Sequence, residues 1–276
     1  MTADPWRPFV MGVVNTTPDS FSDGGRFLGA EQAIAHARLL LRQGADMLDI
    51  GGESTRPGAA PVSVDEEIAR ILPVVRAVRA DSAVPISIDT MKPEVMRAAA
   101  AEGADIWNDV TALGFSPDSL SVAAELGCEV MLMHMQGEPR TMQDNPVYAD
   151  VVVEVCAFLD ERARAAMAAG VKREAIWLDP GIGFGKTLEH NLQLLANLDK
   201  LKALGFKTVL GVSRKRFIKS IDKTAEAVTD RIGGSLAGAI VGAEAGMDAI
   251  RVHDLRETAQ ALATWSLVQA RRPAGR

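Results

Sequence analysis

One pattern recurs along the chain: an amphipathic helix ends at glycine, a short apolar run follows it, and the run stops at a polar residue. The clearest copies lie at residues 43–52, 102–110, 126–134, 204–215 and 245–254. Glycine after the last turn is the usual helix C-cap, and an apolar run bounded in this way indicates a β-strand. Each copy therefore predicts a helix followed by a strand.

Three further apolar runs, at residues 8–15, 84–90 and 175–181, bring the number of predicted strands to eight. Apolar strands that alternate with helices are typical of a parallel sheet covered on both faces. A closed (β/α)8 barrel needs about 250 residues, and the chain has 276. We therefore predict an α/β protein with a (β/α)8 TIM barrel fold, formed by a single domain over residues 1–276 with its core at about 8–271.

The helical segments support this prediction. Residues 31–44 place Ile34, Ala37 and Leu41 on one stripe, and residues 151–170 show the same spacing. A stripe of this kind covers one face of a sheet, as the barrel requires.

Two stretches are less regular, at residues 17–29 and 51–63, and both are rich in Gly, Pro and Ser. Each follows one of the first two predicted strands. We expect both to be mobile loops at the barrel rim.

The composition limits the partners of the chain. A formal net charge of -6 and a pI of about 5.3 exclude a global positive field that would attract nucleic acid or anionic lipid. An anionic substrate must then be bound by a local basic cluster. The chain has neither an apolar run of about 18 residues nor a basic and apolar leader, so we expect a cytoplasmic protein without a membrane partner.

The cysteines, Cys128 and Cys156, lie in apolar segments without ligand-like spacing. This arrangement favours buried thiols over metal binding or redox chemistry.

In barrels of this class the active site lies at the carboxyl ends of the strands. Polar residues follow nearly all of the predicted strands: Asn15, Asp49, Asp89, Asn108, His134, Asp179, Ser213, Arg214, Lys215, Arg251 and His253. Structural polar residues would not be expected to collect at one end of the barrel. The pattern therefore indicates an enzyme.

Cations cluster after the seventh predicted strand, where SRKRF (213–217) begins with Ser213 as a potential helix N-cap. Positive charge in a first helical turn costs roughly 0.3–1 kcal/mol per charge when exposed, unless an anion binds there. A solvated basic turn is the alternative. After the eighth strand, Arg251 and His253 share one face and suit a phosphate or diphosphate group, although a structural histidine is the alternative there.

Two carboxylates, Asp89 and Asp179, end apolar strands, and Asn108 lies between them in strand order. Partly desolvated carboxylates need donors. Such a set can bind the amide and amino edge of a heterocycle, bind a metal ion or perform acid–base catalysis. Capping of the following helices is the structural alternative.

Two glycine-rich segments can be interpreted by motif. GIGFGKT (181–187) lacks the glycines that nucleotide-binding loops require at positions 180 and 186, so we exclude that interpretation. The loop after Asn15 carries oxygen side chains suited to a hydrated magnesium ion bound jointly with phosphate, although turn formation explains them equally well. These side chains belong to Asp19, Ser20, Ser22 and Asp23.

Seven segments together resemble the dihydropteroate synthases, a family of pterin-binding enzymes, in order and spacing from residue 11 to residue 254. They are MGVVNTTPDSFSDGG (11–25), DIGGESTRPGA (49–59), ISIDT (86–90), WND (107–109), LDPGIGFGKT (178–187), GVSRK (211–215) and RVHD (251–254).

The resemblance implies a transferase of folate biosynthesis that condenses the diphosphate of 6-hydroxymethyl-7,8-dihydropterin with p-aminobenzoate. The products are 7,8-dihydropteroate and diphosphate. It also implies an SN1-like displacement, Mg2+ as cofactor and a homodimer. The partners are small-molecule substrates rather than nucleic acid or membrane.

The resemblance further implies a role for each matching residue. The pterin would be bound by Asp89, Asn108, Asp179 and Lys215. The diphosphate would be bound by Asn15, which also binds the metal ion, and by Thr55, Arg56, Arg251 and His253. The p-aminobenzoate would contact Thr55, Arg56, Pro57, Phe184, Ser213 and Lys215. The catalytic set would be Asp89, Lys215, Arg251 and His253.

One position departs from the family pattern. Many relatives have a small hydroxyl residue directly after SRK, whereas this chain has Arg216. Its side chain can pair with the carboxylate of p-aminobenzoate or point into solvent, which bears on sulfonamide sensitivity. Two rival functions are a pterin-dependent methyltransferase, which would not need the diphosphate cluster, and a pterin-binding protein without catalytic activity.

Overall fold

Eight parallel strands pair in chain order and close into a barrel in the computed structural model, which describes residues 5–17, 25–54, 60–137 and 141–272. The strands are β1 (Phe9–Asn15), β2 (Met47–Gly51), β3 (Ile86–Asp89), β4 (Ile106–Asp109), β5 (Glu129–Met133), β6 (Ile176–Asp179), β7 (Lys207–Gly211) and β8 (Ala249–Val252). Each lies within one of the eight predicted segments, so the predicted TIM barrel is confirmed.

Helices connect successive strands and surround the barrel. They are α1 (Gly25–Arg42), α2 (Val64–Asp81), α3 (Pro93–Ala101), α4 (Ser119–Leu126), α5 (Val151–Ala169), α6 (Leu188–Ala196), α7 (Leu198–Lys202), α8 (Arg216–Ile221), α9 (Ile232–Glu244) and α10 (Leu255–Gln269). Short 3-10 helices cover Arg173–Ala175 and Val228–Arg231.

The first helix differs from its prediction in length and in its buried face. It begins at Gly25, so residues 25–29 belong to a helix rather than to the predicted loop. Its fully buried side chains include Ala33, Ala37 and Leu40, so the buried face shares Ala37 with the predicted stripe and is otherwise centred one position earlier. Ile34 and Leu41 flank this face and are partly buried.

The barrel interior contains an apolar layer. It consists of Met11, Met47, Ile106, Met131, Trp177, Val209 and Ala249. A second, larger apolar core lies between the outer face of the sheet and the helices. Since side chains alternate along a strand, a residue two positions beyond the interior layer faces the interior again, one layer nearer the carboxyl ends.

Three aspartates precede strands and bind the neighbouring strand at its amino end. The carboxylates of Asp46, Asp105 and Asp248 accept the backbone N–H of residues 10, 86 and 208 at 2.7, 2.8 and 2.7 Å. Each aspartate follows a glycine with positive φ by two positions, at residues 44, 103 and 246. The recurring glycine therefore both ends a helix and places an acceptor where a new strand joins the barrel.

Within the described part of the chain no helix is long and apolar enough to cross a membrane. Both predicted thiols are free: Cys128 is buried, and Cys156 is partly buried.

Candidate active site

A polar layer covers the apolar layer at the carboxyl end of the barrel. On four strands the residue two positions beyond the apolar layer is polar: Asp49, Asn108, Asp179 and Arg251. Asp89 of β3 pairs in register with Asn108 and lies at the same level. The alternation of the strands thus brings the predicted carboxylates, amide and guanidinium together.

Asp49 lies at the centre of this layer and has no exposed surface. Its carboxylate accepts the Arg251 Nε–H at 2.6 Å. The Asn108 amide Nδ2 donates to both carboxylate oxygens, at 3.2 and 3.3 Å. The sequence pattern had indicated that Asp49 ends a strand but had given it no role.

Asp89 and Arg251 form an ion pair across the barrel mouth, with Arg251 Nη2 at 2.7 Å from Asp89 Oδ2. Burial raises the pKa of Asp89 to about 7, against the opposing effect of Arg251 and with a contribution from Asp49. Burial alone would lower the pKa of Arg251, but the carboxylates of Asp49 and Asp89 raise it, so the guanidinium remains charged.

Lys215 points into the same pocket. Its Nζ donates to the Ile182 carbonyl at 2.8 Å and lies 4.1 Å from the centre of the Phe184 ring. Burial lowers the pKa of this lysine to about 8, and Asp179 opposes the shift. Lys215, which was predicted to bind the pterin, is therefore in contact with Phe184, which was predicted to contact p-aminobenzoate.

The capping alternatives for the two aspartates are excluded by the helix starts. The cap of α3 is Lys92, without a side-chain hydrogen bond, and that of α6 is Thr187. Asp179 instead accepts the Gly181 N–H at 2.7 Å within the following turn. Burial raises the pKa of Asp179, since it outweighs the effects of that hydrogen bond and of Lys215.

Ser213 and His253 are brought together by β7 and β8. The Ser213 hydroxyl accepts the His253 backbone N–H at 3.1 Å and lies 3.1 Å from His253 Nδ1. When this hydroxyl donates to Nδ1, the ring proton is on Nε2 and available to a ligand. Burial, helped by Arg251, lowers the pKa of His253 to about 3, so the ring is neutral at physiological pH.

The predicted cation cluster after β7 is only partly formed. Ser213 is not the cap of α8, which begins at Arg216 after Lys215. Arg214 has a φ of 59° and forms an ion pair with Asp254 instead of turning to the pocket. Arg216 is exposed. The backbone separates the three side chains because it turns before the helix begins, so only Lys215 joins the polar layer.

Lys186, in the segment that is not a nucleotide loop, has a role that the sequence did not predict. Its buried ammonium lies 3.0 Å from the carbonyls of Gly181 and Phe184 and 2.9 Å from His134 Nδ1. Burial lowers its pKa to about 7 and that of His134 to about 3. The lysine therefore holds together the turn that carries Phe184. Position 186 alone gave no indication of this.

A second buried cluster, also not predicted, joins Glu53 and Val62 to Glu67 of α2 and to Lys92 before α3. Lys92 Nζ donates to Glu53, to Glu67 and to the Val62 carbonyl at 2.8, 2.6 and 2.8 Å. Glu53 also accepts the Val62 N–H at 2.9 Å. Contacts between such distant positions are set by packing and leave no local sequence signal.

Several predicted residues lie outside the described part of the chain: Thr55, Arg56, Pro57, Asp19, Ser20, Ser22 and Asp23. Asn15 is described. It ends β1 at the barrel mouth, is half-buried and pairs in register with Gly51.

The fold and this pocket define a barrel enzyme with a polar binding layer, and comparison with known proteins identifies the family. The family model described as pterin binding enzyme matches residues 11–253. The chain belongs to this family.

Proteins similar to this chain within the family include dihydropteroate synthases. The one from Escherichia coli (strain K12) is 48% identical over 256 residues, which cover 93% of this chain and 90% of the relative. The Xanthomonas albilineans dihydropteroate synthase with 4-aminobenzoic acid superimposes with a TM-score of 0.90 at 49% identity, covering 96% of this chain and 94% of that one. The same enzyme in complex with 7,8-dihydropteroate gives 0.87 at 46% identity, covering 96% and 95%.

Proposed function

We propose that this chain is a dihydropteroate synthase, which joins the methylene carbon of a dihydropterin diphosphate to the amine of p-aminobenzoate and releases diphosphate. The polar layer of carboxylates, amide and cations over an apolar base carries the proposal. Similar structures contain 4-aminobenzoic acid and 7,8-dihydropteroate, which are a substrate and a product of this reaction.

The pterin is bound by Asp89, Asn108, Asp179 and Lys215. The pterin edge offers adjacent N–H donors beside a carbonyl acceptor, so it needs carboxylate and amide oxygens next to a cation. The polar layer presents this combination in one buried pocket. Each polar group that leaves water finds a partner of the opposite kind, as specific recognition requires.

The diphosphate is bound by Arg251, His253 and Asn15, and by Thr55 and Arg56, which lie outside the described residues. In the described structure Arg251 donates to Asp89 through Nη2. A diphosphate oxygen competes for this donor. A neutral His253 contributes a hydrogen bond rather than a charge when the substrate arrives.

The p-aminobenzoate lies nearer the surface, against Phe184, Lys215 and Ser213. Its other predicted contacts, Thr55, Arg56 and Pro57, lie outside the described residues. Lys215 contacts the Phe184 ring and so joins the two subsites. Arg216 begins α8 with an exposed side chain and lies outside the polar layer.

The reaction follows an SN1-like course. The bond between the methylene carbon and the diphosphate oxygen breaks first, and its electron pair leaves with the diphosphate. Arg251 and His253 stabilise that charge, while the electron-rich pterin and the Asp89 carboxylate stabilise the cationic methylene. The neutral aromatic amine then forms the carbon–nitrogen bond and passes a proton to water.

Magnesium fits the residues present as an ion shared with the substrate. Among the described residues no group of three His, Cys, Asp or Glu side chains could hold a metal ion. Asn15 offers one neutral oxygen at the barrel mouth, and it would hold a hydrated Mg2+ there jointly with the diphosphate. When bound, the ion would neutralise charge on the leaving group.

We also propose a homodimer. Exposed apolar side chains lie on two helices that pack together, Val241 on α9 and Leu267 and Val268 on α10. Burial of exposed apolar side chains is a common basis of self-association. Sedimentation equilibrium would show twice the chain mass, and a single-chain mass at micromolar concentration would refute the dimer.

A direct assay tests the reaction. The protein is supplied with the pterin diphosphate, Mg2+ and p-aminobenzoate, and diphosphate release is measured. Release that requires p-aminobenzoate supports the synthase. A protein that binds the pterin but releases no diphosphate with both substrates would be a binding protein instead.

A further inference from the structure

Asp49 is a buried carboxylate in the pocket to which the proposed reaction assigns no substrate contact. It has no exposed surface, and both groups on it belong to the binding site: Arg251 through Nε and Asn108 through Nδ2. A buried carboxylate is costly unless donors compensate it, so these contacts are strongly held.

We infer that Asp49 is a positioning residue for the pterin diphosphate: it fixes the plane of the Arg251 guanidinium and the orientation of the Asn108 amide. The inference rests on the proposed function, because it concerns how this chain prepares the site for that substrate.

The contact with Asp49 occupies one side of the Arg251 guanidinium and leaves the other side for a ligand. Nε donates to Asp49 at 2.6 Å, whereas Nη2 donates to Asp89 at 2.7 Å. Asp49 has no access to water, so it keeps its donor. Asp89 is partly exposed and can give up its donor to a diphosphate oxygen. The Nη groups are then free to donate to the leaving group while Nε stays bound to Asp49.

The contact with Asn108 selects the atom that this residue offers to a ligand. An ionised carboxylate only accepts hydrogen bonds, so the Asn108 NH2 group faces Asp49 at 3.2 and 3.3 Å from its two oxygens. The Asn108 carbonyl oxygen then points away from Asp49. The site consequently offers an acceptor at this position and favours a substrate N–H over a substrate carbonyl.

The chain contains a matched control at the other end of the same strand. Asp46 precedes β2, forms an ion pair with Arg7 at 2.6 Å and accepts the Val10 N–H at 2.7 Å. An Asp46→Asn change weakens an aspartate–arginine ion pair that is more exposed than the Asp49 pair, and it touches no residue of the polar layer.

The experiment compares Asp49→Asn with Asp46→Asn by calorimetric binding of the pterin diphosphate and by steady-state kinetics. Hydrogen bonds to charged groups contribute enough that we expect affinity for the pterin diphosphate to fall about 10- to 100-fold in Asp49→Asn. The KM for p-aminobenzoate should stay within about twofold of wild type, because the change does not alter the residues proposed to bind that substrate. Asp46→Asn should bind the pterin diphosphate as wild type does.

A double-mutant cycle separates positioning from general destabilisation. In an Arg251→Ala background, Asp49→Asn should lower the affinity for the pterin diphosphate by a smaller factor, because the contact between Asp49 and the guanidinium is already absent. Equal effects in both backgrounds would overturn the Arg251 part of the inference. If Asp49→Asn does not fold, Asp49→Glu keeps the charge but displaces the carboxylate, and it should show the same selective loss of pterin affinity.

The outcomes distinguish this inference from the proposed function. Wild-type affinity in folded Asp49→Asn, or an equal loss in Asp46→Asn, overturns the positioning role while leaving an active wild type unaffected. A wild type that binds the pterin diphosphate but does not release diphosphate contradicts the synthase, and the binding comparison still tests Asp49.

Discussion

Asp89 and Arg251 show how two residues with separate proposed roles share one contact. The ion pair between them, at 2.7 Å, joins the pterin side of the pocket to the diphosphate side. Substrate binding must break or reshape this pair. The cost is limited because the guanidinium keeps its second carboxylate partner, Asp49.

At this scale we expect Asp89→Asn to lower kcat about 100- to 1,000-fold, as loss of a group that stabilises developing charge does. The free-enzyme pKa of Asp89 is about 7, so kcat/KM for the pterin substrate should fall as the pH decreases through about 7. In the Asp89→Asn variant, kcat/KM should not show this decrease near pH 7. Near-normal turnover with an unchanged pH profile would show that the carboxylate does not act in the reaction.

The turn that follows β6 belongs to the scale of structural elements. Lys186 binds its carbonyls from the inside, and Gly181 packs so closely that an added Cβ would lie 1.9 Å from the His134 carbonyl oxygen. The φ of Gly181 is 66°, which also disfavours a side chain. The turn holds the Ile182 carbonyl and the Phe184 ring against Lys215.

We expect Lys186→Met to lower the free energy of unfolding by about 1–3 kcal/mol, because buried carbonyls lose their donor. The KM for p-aminobenzoate should rise more than that for the pterin substrate, since Phe184 belongs to this turn. Denaturant unfolding and separate KM measurements check this. Lys172→Met, at an exposed position, is the control and should change neither quantity.

Lys186 also affects stability as a function of pH. Burial lowers the pKa of Lys186 in the folded state to about 7 from its ordinary value of 10.5, so the unfolded chain binds more protons between these values. The free energy of unfolding therefore rises with pH across this window on account of Lys186. The slope should be smaller in Lys186→Met. An identical slope would show that the ammonium is not desolvated.

For the whole molecule, the barrel separates stability from chemistry. At its amino end, aspartates hydrogen-bond to the neighbouring strand. Asp105, for example, accepts the Ile86 N–H and forms an ion pair with Arg79 at 2.6 Å. Its carboxyl end carries the polar layer. In barrels of this class the two ends evolve under these different demands.

We expect Asp105→Ala to lower the free energy of unfolding by about 1–3 kcal/mol, because a strand N–H and an arginine lose their acceptor. The kcat and both KM values should remain those of the wild type at a temperature where the variant is folded. Thermal unfolding and steady-state kinetics provide the check. A large fall in kcat of the folded variant would contradict the separation of the two ends.

The barrel and the members of its polar layer could be predicted from the sequence because both depend on local periodicity. Apolar runs ended by glycine and polar residues mark the strands, and the alternation along each strand places Asp89, Asn108, Asp179 and Arg251 at one end of a closed sheet. The segments shared with the dihydropteroate synthases identified the family for the same reason, since a motif is a local pattern.

Only the tertiary structure decided which of these residues contact one another. Asp49 meets Arg251 although 202 positions separate them in the chain, and Lys186 meets His134 across 52 positions. It also decided that Arg214 turns to Asp254 while Lys215 enters the pocket. Partner choice between buried charges depends on backbone direction, distance and desolvation, which emerge only when the barrel closes.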